Sequence, residues 1–330
     1  MKKNILFLLA IIWTGSLAAQ DINNFVHPDN YKTGTPGDLG AIKKFGTGDK
    51  VMILLPGWGF DYTIFDGFIE QYQDTYSIYA VTFPGFGGTP APPMPEDSSN
   101  FQDLQWTNGI IKGIRKLMET EQLSKPIIVS YFTYSNVIAM RLALDYPEEI
   151  ERVIILSGMA KFTANYPAHE PRNLDQRIMY IEKFLAPQWF KTVNKETWDA
   201  GNFHADTFAR DSVKAAGYWE MMSTVPIPIM IRYLCEYYCT DLSLEYVNLK
   251  VPTLVVIPSF TTEVLTKPET SYLTPFFHHS WLGARPESDS ISIIVLTDTN
   301  AFVADDQPEK LYQVIEEFLD NKLNMYQVVR

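Results

Sequence analysis

Ile127-Ile128-Val129-Ser130-Tyr131-Phe132-Thr133-Tyr134-Ser135, running on into Asn136-Val137-Ile138-Ala139-Met140-Arg141-Leu142-Ala143-Leu144-Asp145-Tyr146-Pro147, is the stretch on which the fold turns. From Pro126 to Tyr131 it is a short β-branched run of strand length. From Asn136 to Tyr146 it shifts to Ala, Leu, Met and Arg, which favour helix, and Pro147 closes the run. A strand that feeds directly into a helix is the building unit of a parallel sheet.

The same alternation extends outward. Upstream, Leu39 to Phe45 and Val51 to Leu55 read as strands flanking a Gly46-Thr47-Gly48-Asp49 turn, and Ser77 to Phe83 as a third. Ile64, Phe65, Phe68 and Ile69 recur at helical spacing between 61 and 72. A longer helix is predicted over 101–123, with Leu104, Thr107, Ile111, Ile114 and Met118 on one face. Downstream, Glu151 to Leu156 is again a strand. The rhythm then breaks: 161–250 is aromatic, Met-rich and helical, with no evident strand. Val251 to Ile257 and Ser290 to Leu296 resume the sheet. In the last helix, from Gln307 to Leu323, Leu311, Val314, Ile315, Phe318 and Leu319 share one face. The prediction is an α/β fold with a doubly wound, mostly parallel sheet. Its core is formed by 38–160 and 251–330, a helical cap spans 161–250, and 20–37 is an N-terminal segment.

Residues 1–19 are expected to be a signal peptide. Lys2 and Lys3 precede an apolar run from Ile5 to Trp13, and Ser16-Leu17-Ala18-Ala19 offers a small-residue cleavage site. The run is well short of the ~20 residues that span a bilayer, and the chain offers no later candidate for a span. Export to the periplasm or medium follows as an expectation. The formal net charge is −12, and the loss of Lys2 and Lys3 deepens it. Such a balance disfavours nucleic acid and anionic membrane surfaces as partners. Cys235 and Cys239 lie four apart in a predicted helix, a poor geometry for a disulfide, and read as two buried thiols. No cofactor is expected: Gly85, Gly87 and Gly88 lack dinucleotide-loop spacing, and no His lies near the cysteines to suggest a metal.

Five short motifs carry a family resemblance. Leu54-Leu55-Pro56-Gly57-Trp58-Gly59-Phe60 resembles the oxyanion loop of cap-bearing α/β-hydrolases, and Phe83-Pro84-Gly85-Phe86-Gly87 their Leu-Pro-Gly-Phe-Gly loop. Arg141 to Pro147 resembles the helix after their nucleophile turn. Val251-Pro252-Thr253-Leu254-Val255 resembles the strand before their catalytic acid, and Asp306-Gln307-Pro308 the segment after their catalytic histidine. The motifs stand in family order from about residue 38 onward. The resemblance implies esterase- or lipase-type hydrolysis by a Ser-Asp-His triad.

At the implied triad positions the residues differ. The nucleophile of G-x-S-x-G maps to Thr133, within Tyr131-Phe132-Thr133-Tyr134-Ser135. Both glycines are replaced, and a β-branched residue at positive φ is strained, so the turn is expected to relax. The acid position falls at Thr261, with Glu263 read as a solvated loop carboxylate, and the histidine position falls at Ala301. Alanine cannot serve as a general base. The five histidines, His27, His169, His204, His278 and His279, all lie elsewhere. The backbone amides of Trp58 and Tyr134 stand where the family keeps its oxyanion donors, and a ligand pocket is expected from Trp58, Phe60 and Tyr134. Cap aromatics, among them Trp189, Trp219, Tyr237 and Tyr238, either line an apolar pocket or form the cap's own core. Three readings stay open. One is a non-catalytic protein that binds a small apolar or ester-like ligand or a partner. Another is a hydrolase that uses Thr133 with a displaced histidine. The third is an ordinary serine hydrolase whose nucleophile lies elsewhere.

Overall fold

The computed structural model describes residues 31–161, 173–200, 202–267, 270, 273–281, 288–323 and 326–329. The expected leader lies outside these residues, as do His27 and His169. His204 falls in a described 3-10 turn, Asn202–Thr207, but its side chain lies outside the description.

A single sheet carries the fold. Its strands are β1 (Ala41–Phe45), β2 (Lys50–Leu55), β3 (Tyr76–Thr82), β4 (Ile127–Tyr131), β5 (Arg152–Leu156), β6 (Thr253–Pro258), β7 (Ile291–Leu296) and β8 (Tyr326–Val329). Their order is β1-β3-β2-β4-β5-β6-β7-β8. Every neighbouring pair is parallel except β1 with β3. All five residues of β4 are buried, which is why that strand reads as an unbroken apolar run rather than an alternating one.

Helices cover the faces: α1 (Asp66–Tyr72), α2 (Gln105–Thr120) and α3 (Ser135–Asp145) follow the first strands. Between β5 and β6 the described chain is helical, with α4 (Leu174–Tyr180), α5 (Ala186–Thr192), α6 (Lys195–Asp199), α7 (Ser212–Ser223) and α8 (Ile227–Tyr238). A π-turn, Ile181–Leu185, joins α4 to α5. Pro187 explains it, because proline offers no amide to the carbonyl one turn earlier and the helix widens to compensate. After β6 come α9 (Thr262–Leu265), α10 (Leu273–Phe277), α11 (Val303–Asp306) and α12 (Pro308–Leu319). The buried face of α12 is Leu311, Val314, Ile315 and Phe318, as the spacing predicts.

Two features differ from the sequence reading. The turn after β1 does not pair β1 with β2; β1 crosses to β3 instead. The short strand β8 extends the sheet beyond β7 from a stretch with no strand signal of its own. Cys235 and Cys239 are buried free thiols.

The cap is tied to the core by a buried ion pair. Arg232 and Glu236 lie one turn apart on α8, both fully buried, at 2.9 Å. Glu236 accepts from the Trp106 amide (3.1 Å) and from the Thr107 amide (2.9 Å) and hydroxyl (2.8 Å). It thereby supplies the acceptor that α2 lacks locally, since Leu104 at its start makes no side-chain cap. Arg232 donates to the carbonyls of Ser98 and Asn100 and lies over the Phe101 ring.

Candidate functional site

The turn from β4 into α3 keeps a strained backbone. Phe132 sits at φ 69° and Thr133 at φ 54°. The expected relaxation is therefore overturned. Its physical reason lies outside the turn: the Phe132 amide donates to Leu156 O at 2.8 Å and the Thr133 amide to Ser157 O at 3.1 Å, both at the end of β5. Left-handed conformations of this kind cost about 1–3 kcal/mol and persist only when their surroundings fix them. The loop at Gly57 presses on the same turn. A Cβ added to Gly57 would lie 2.2 Å from Phe132 O and 2.7 Å from Tyr131 O, so no side chain fits there.

Above the turn lies a cavity of about 160 Å³. Its floor is Phe132, Thr133 and Ala301; its walls come from Trp58, from the cap residues Trp189, Trp198, Trp219, Met222, Tyr237 and Tyr238, and from Phe276 and Phe277. The cap aromatics thus divide between the two roles the sequence left open. Trp189, Trp219, Tyr237 and Tyr238 face the cavity, whereas Tyr233 is buried in the core and Phe184 is exposed. Thr133 lines this chamber, while its hydroxyl oxygen is buried and has no hydrogen-bond partner among the described residues. A buried hydroxyl left unpaired costs about 1–3 kcal/mol, a second cost carried by the residue that already holds a left-handed backbone.

The other implied triad positions fall apart. Ala301 lines the chamber, with its amide donated to Thr207 O at 3.0 Å and its carbonyl accepting from the Ser157 hydroxyl. Thr261 does not reach the chamber; it caps α9, its hydroxyl accepting from the Val264 amide, and lines a separate surface groove. Glu263 lies exposed on that same groove. Among the described residues no histidine, aspartate or glutamate lines the chamber. His278 turns away: its Nε2 donates to Pro258 O at 2.9 Å, and desolvation lowers its pKa. Asp306 accepts from the Asn300 and Arg210 amides, and its burial pushes its carboxyl pKa up. Among the described residues no group of three or more metal-binding side chains converges.

Two pocket assignments from sequence need correction. Phe60 is fully buried and does not line the chamber. Its ring sits edge-on to Phe132, Phe208, Tyr218 and Phe302 at 5.2–5.9 Å, in an aromatic cluster beneath the floor. Tyr134 also points away: its ring is buried against Phe83 and Tyr233, and its hydroxyl lies 2.7 Å from Thr107 Oγ. Only its main chain belongs to the turn. Trp58 does line the chamber, with its indole N–H donated to Met230 O at 2.9 Å. Sequence reasoning missed Thr207, Phe208 and Leu273, also chamber residues, because nothing in their local pattern marks them.

No protein-family model matches the chain. Solved structures match it along most of its length. A hydrolase from Pseudomonas aeruginosa superposes with a TM-score of 0.61 at 14% identity, covering 84% of this chain and 93% of its own. MenH from S. aureus gives 0.62 at 13%, covering 86% and 99%. The fold is that of the α/β-hydrolases. Among curated proteins, this α/β-hydrolase-fold chain is 24% identical over 181 residues to a pimeloyl-(acyl-carrier protein) methyl ester esterase of Aeromonas hydrophila. That match covers 54% of this chain and 63% of the esterase. The enzyme of the same name from Legionella pneumophila is 25% identical over 124 residues, 38% and 44% of the two chains. The chain thus spans less than two thirds of the curated relatives it matches, and the fold is of esterase and hydrolase type.

Proposed function

We propose that this chain is an exported α/β-hydrolase-fold protein that has lost the serine-hydrolase triad and holds a small apolar or ester-like ligand under its cap. The observation that carries the reading is an apolar chamber over Thr133, the residue at the nucleophile turn, that no described imidazole or carboxylate lines. A hydroxyl without a base is a poor nucleophile at neutral pH. The curated relatives' methyl ester chemistry supports an ester-like guest.

One observation favours an active hydrolase that uses Thr133: the turn retains its strain, and such strain persists where function requires it. A histidine of the cap or of the 278–279 loop is then the base to test. The experiment is p-nitrophenyl ester turnover together with fluorophosphonate labelling of the purified protein. The ligand-holding reading expects no labelling, and turnover no more than about 10³–10⁴-fold above water. Turnover above that level that disappears in Thr133→Ala overturns it in favour of the threonine hydrolase. Labelling of a serine overturns both in favour of an ordinary serine hydrolase. Export is checked separately, by N-terminal sequencing of the protein recovered outside the cytoplasm.

A further inference from the structure

We propose that Asp306 is a positioning residue of the chamber: its carboxylate clamps the floor at Ala301 to the wall at Thr207 and Phe208, and guests are held best while that clamp is ionised. The inference rests on the proposed ligand-holding role of the chamber. Two runs of backbone meet here. The cap run 206–210 lies along the core run 300–302, with the Ala301 amide donated to Thr207 O at 3.0 Å and the Phe302 amide to Phe208 O at 2.6 Å. The Asn300 side chain adds a bond from Nδ2 to Asp206 O at 2.8 Å. Thr207, Phe208 and Ala301 all line the chamber, so this seam sets part of its outline. Asp306 closes the seam at one end. Its Oδ1 accepts from the Arg210 amide of the cap at 2.8 Å, and its Oδ2 from the Asn300 amide of the core at 2.6 Å.

An ionised carboxylate accepts from both amides at once. A protonated one carries its hydrogen on one of those oxygens and holds that amide less well. The groups that face Asp306 come from three elements. On the cap run, the Arg210 guanidinium donates to Asp298 O at 3.2 Å. On α7, Lys214 and Tyr218 bond the neighbouring Asp305. At the end of β4, the Tyr131 hydroxyl accepts from the Ala304 amide at 2.8 Å. The two cations are thus spent elsewhere, and the carboxylate is held by amides. Desolvation raises the Asp306 carboxyl above its ordinary range and Asp305 adds to this, against the two amides and Arg210. An apolar guest is held by close contact, and a gap of ~0.5–1 Å forfeits about a quarter to a half of each contact. A floor that shifts against its wall therefore weakens binding without any opening of the cap. Because the guest favours the ionised clamp, the guest-bound chain binds fewer protons than the free chain. Affinity is full above the pH at which Asp306 titrates in the fold and falls below it.

The test is isothermal titration calorimetry of ethylbenzene, from about pH 7.5 down to about pH 4, with the purified protein and with Asp306→Asn. Ethylbenzene is uncharged throughout, so any pH dependence belongs to the protein. One ring suits a cavity of about 160 Å³, close to the ~150 Å³ that admits benzene. Wild-type affinity is expected to fall about fivefold across the range, since one net hydrogen bond is at stake. Asp306→Asn, neutral at every pH, should bind weakly throughout and change less than about twofold. Hydrogen exchange on the wild type gives a second measurement that survives a variant that fails to fold. Protection of the Asn300, Ala301 and Arg210 amides, corrected for intrinsic rates, should fall over the same pH range while that of α8 holds. Protection that stays level overturns the clamp. If the wild type does not bind at about pH 7.5, the ligand-holding reading fails and the role of Asp306 with it. Wild-type binding that ignores pH, or a pH dependence that survives in Asp306→Asn, overturns the role of Asp306 and leaves the chamber standing. His278, next to the lining residue Phe277, is then the group that accounts for a surviving dependence.

Discussion

Replacing Thr133 with glycine should stabilise the protein, which reverses the usual effect of glycine. Four contributions decide the sign. Glycine relieves a β-branched residue held at φ 54°, a gain of about 1–3 kcal/mol. It also removes the buried, unpartnered hydroxyl, a further gain of about 1–3 kcal/mol. Against these stand about 0.5–1 kcal/mol of added chain entropy in the unfolded state and about 0.8 kcal/mol for each carbon no longer buried. The space vacated joins an existing cavity, so no new sealed void adds its own penalty. Mid-range values leave a net gain of about 1.5 kcal/mol, or a Tm higher by about 2 °C for a chain of this length. Differential scanning calorimetry reads this directly, with Thr133→Ala as the control, because alanine loses the hydroxyl but keeps a Cβ in the left-handed turn. Glycine should exceed alanine. A glycine variant less stable than wild type would show that the turn is not strained, or that the hydroxyl is satisfied, and the reasoning would fail.

Two further outcomes follow from buried charge. Glu236→Ala leaves the fully buried Arg232 without its carboxylate and α2 without its acceptor, and should lower the unfolding free energy by about 3–5 kcal/mol in urea titration. A loss under 1 kcal/mol would refute that coupling. His278 has a folded-state pKa depressed below the ordinary 6.5 by desolvation. The unfolded chain therefore binds more protons, so the stability it contributes is complete above pH 6.5 and is lost as pH falls through the folded pKa. His278→Gln, which can still donate to Pro258 O, should flatten stability below pH 6.5; an unchanged pH profile would remove His278 from the account.

The sheet was largely legible because its strands are short apolar runs buried on both faces, and β4 and β6 are clear examples. What escaped the sequence was non-local. The turn at Thr133 looked free to relax, since the acceptors that hold it, Leu156 O and Ser157 O, belong to another strand. The cap's anchor was invisible because Arg232 and Glu236 read as a charged pair on a helix face, while their partners at 98–107 lie some 130 positions away. Phe60 was assigned to the pocket by motif, but four rings from distant segments, Phe132, Phe208, Tyr218 and Phe302, draw it under the floor. Strand β8 had no periodic signal, and an edge strand of four residues needs little.

The seam between the cap and the loop after β7 has a kinetic consequence. The Ala301 and Phe302 amides donate to Thr207 O and Phe208 O, and Tyr218 stacks on Phe302 at 3.9 Å while its hydroxyl bonds Asp305. A lid that swings as a body would have to break all of these at once, and the Glu236 anchor with them. On the ligand-holding proposal, guests would then enter and leave by rotation of the lining side chains, a matter of local breathing rather than domain opening. Residence time becomes a property of the walls: a weakly held guest can still leave slowly, and dissociation rates should track the packing of the indoles more closely than they track affinity.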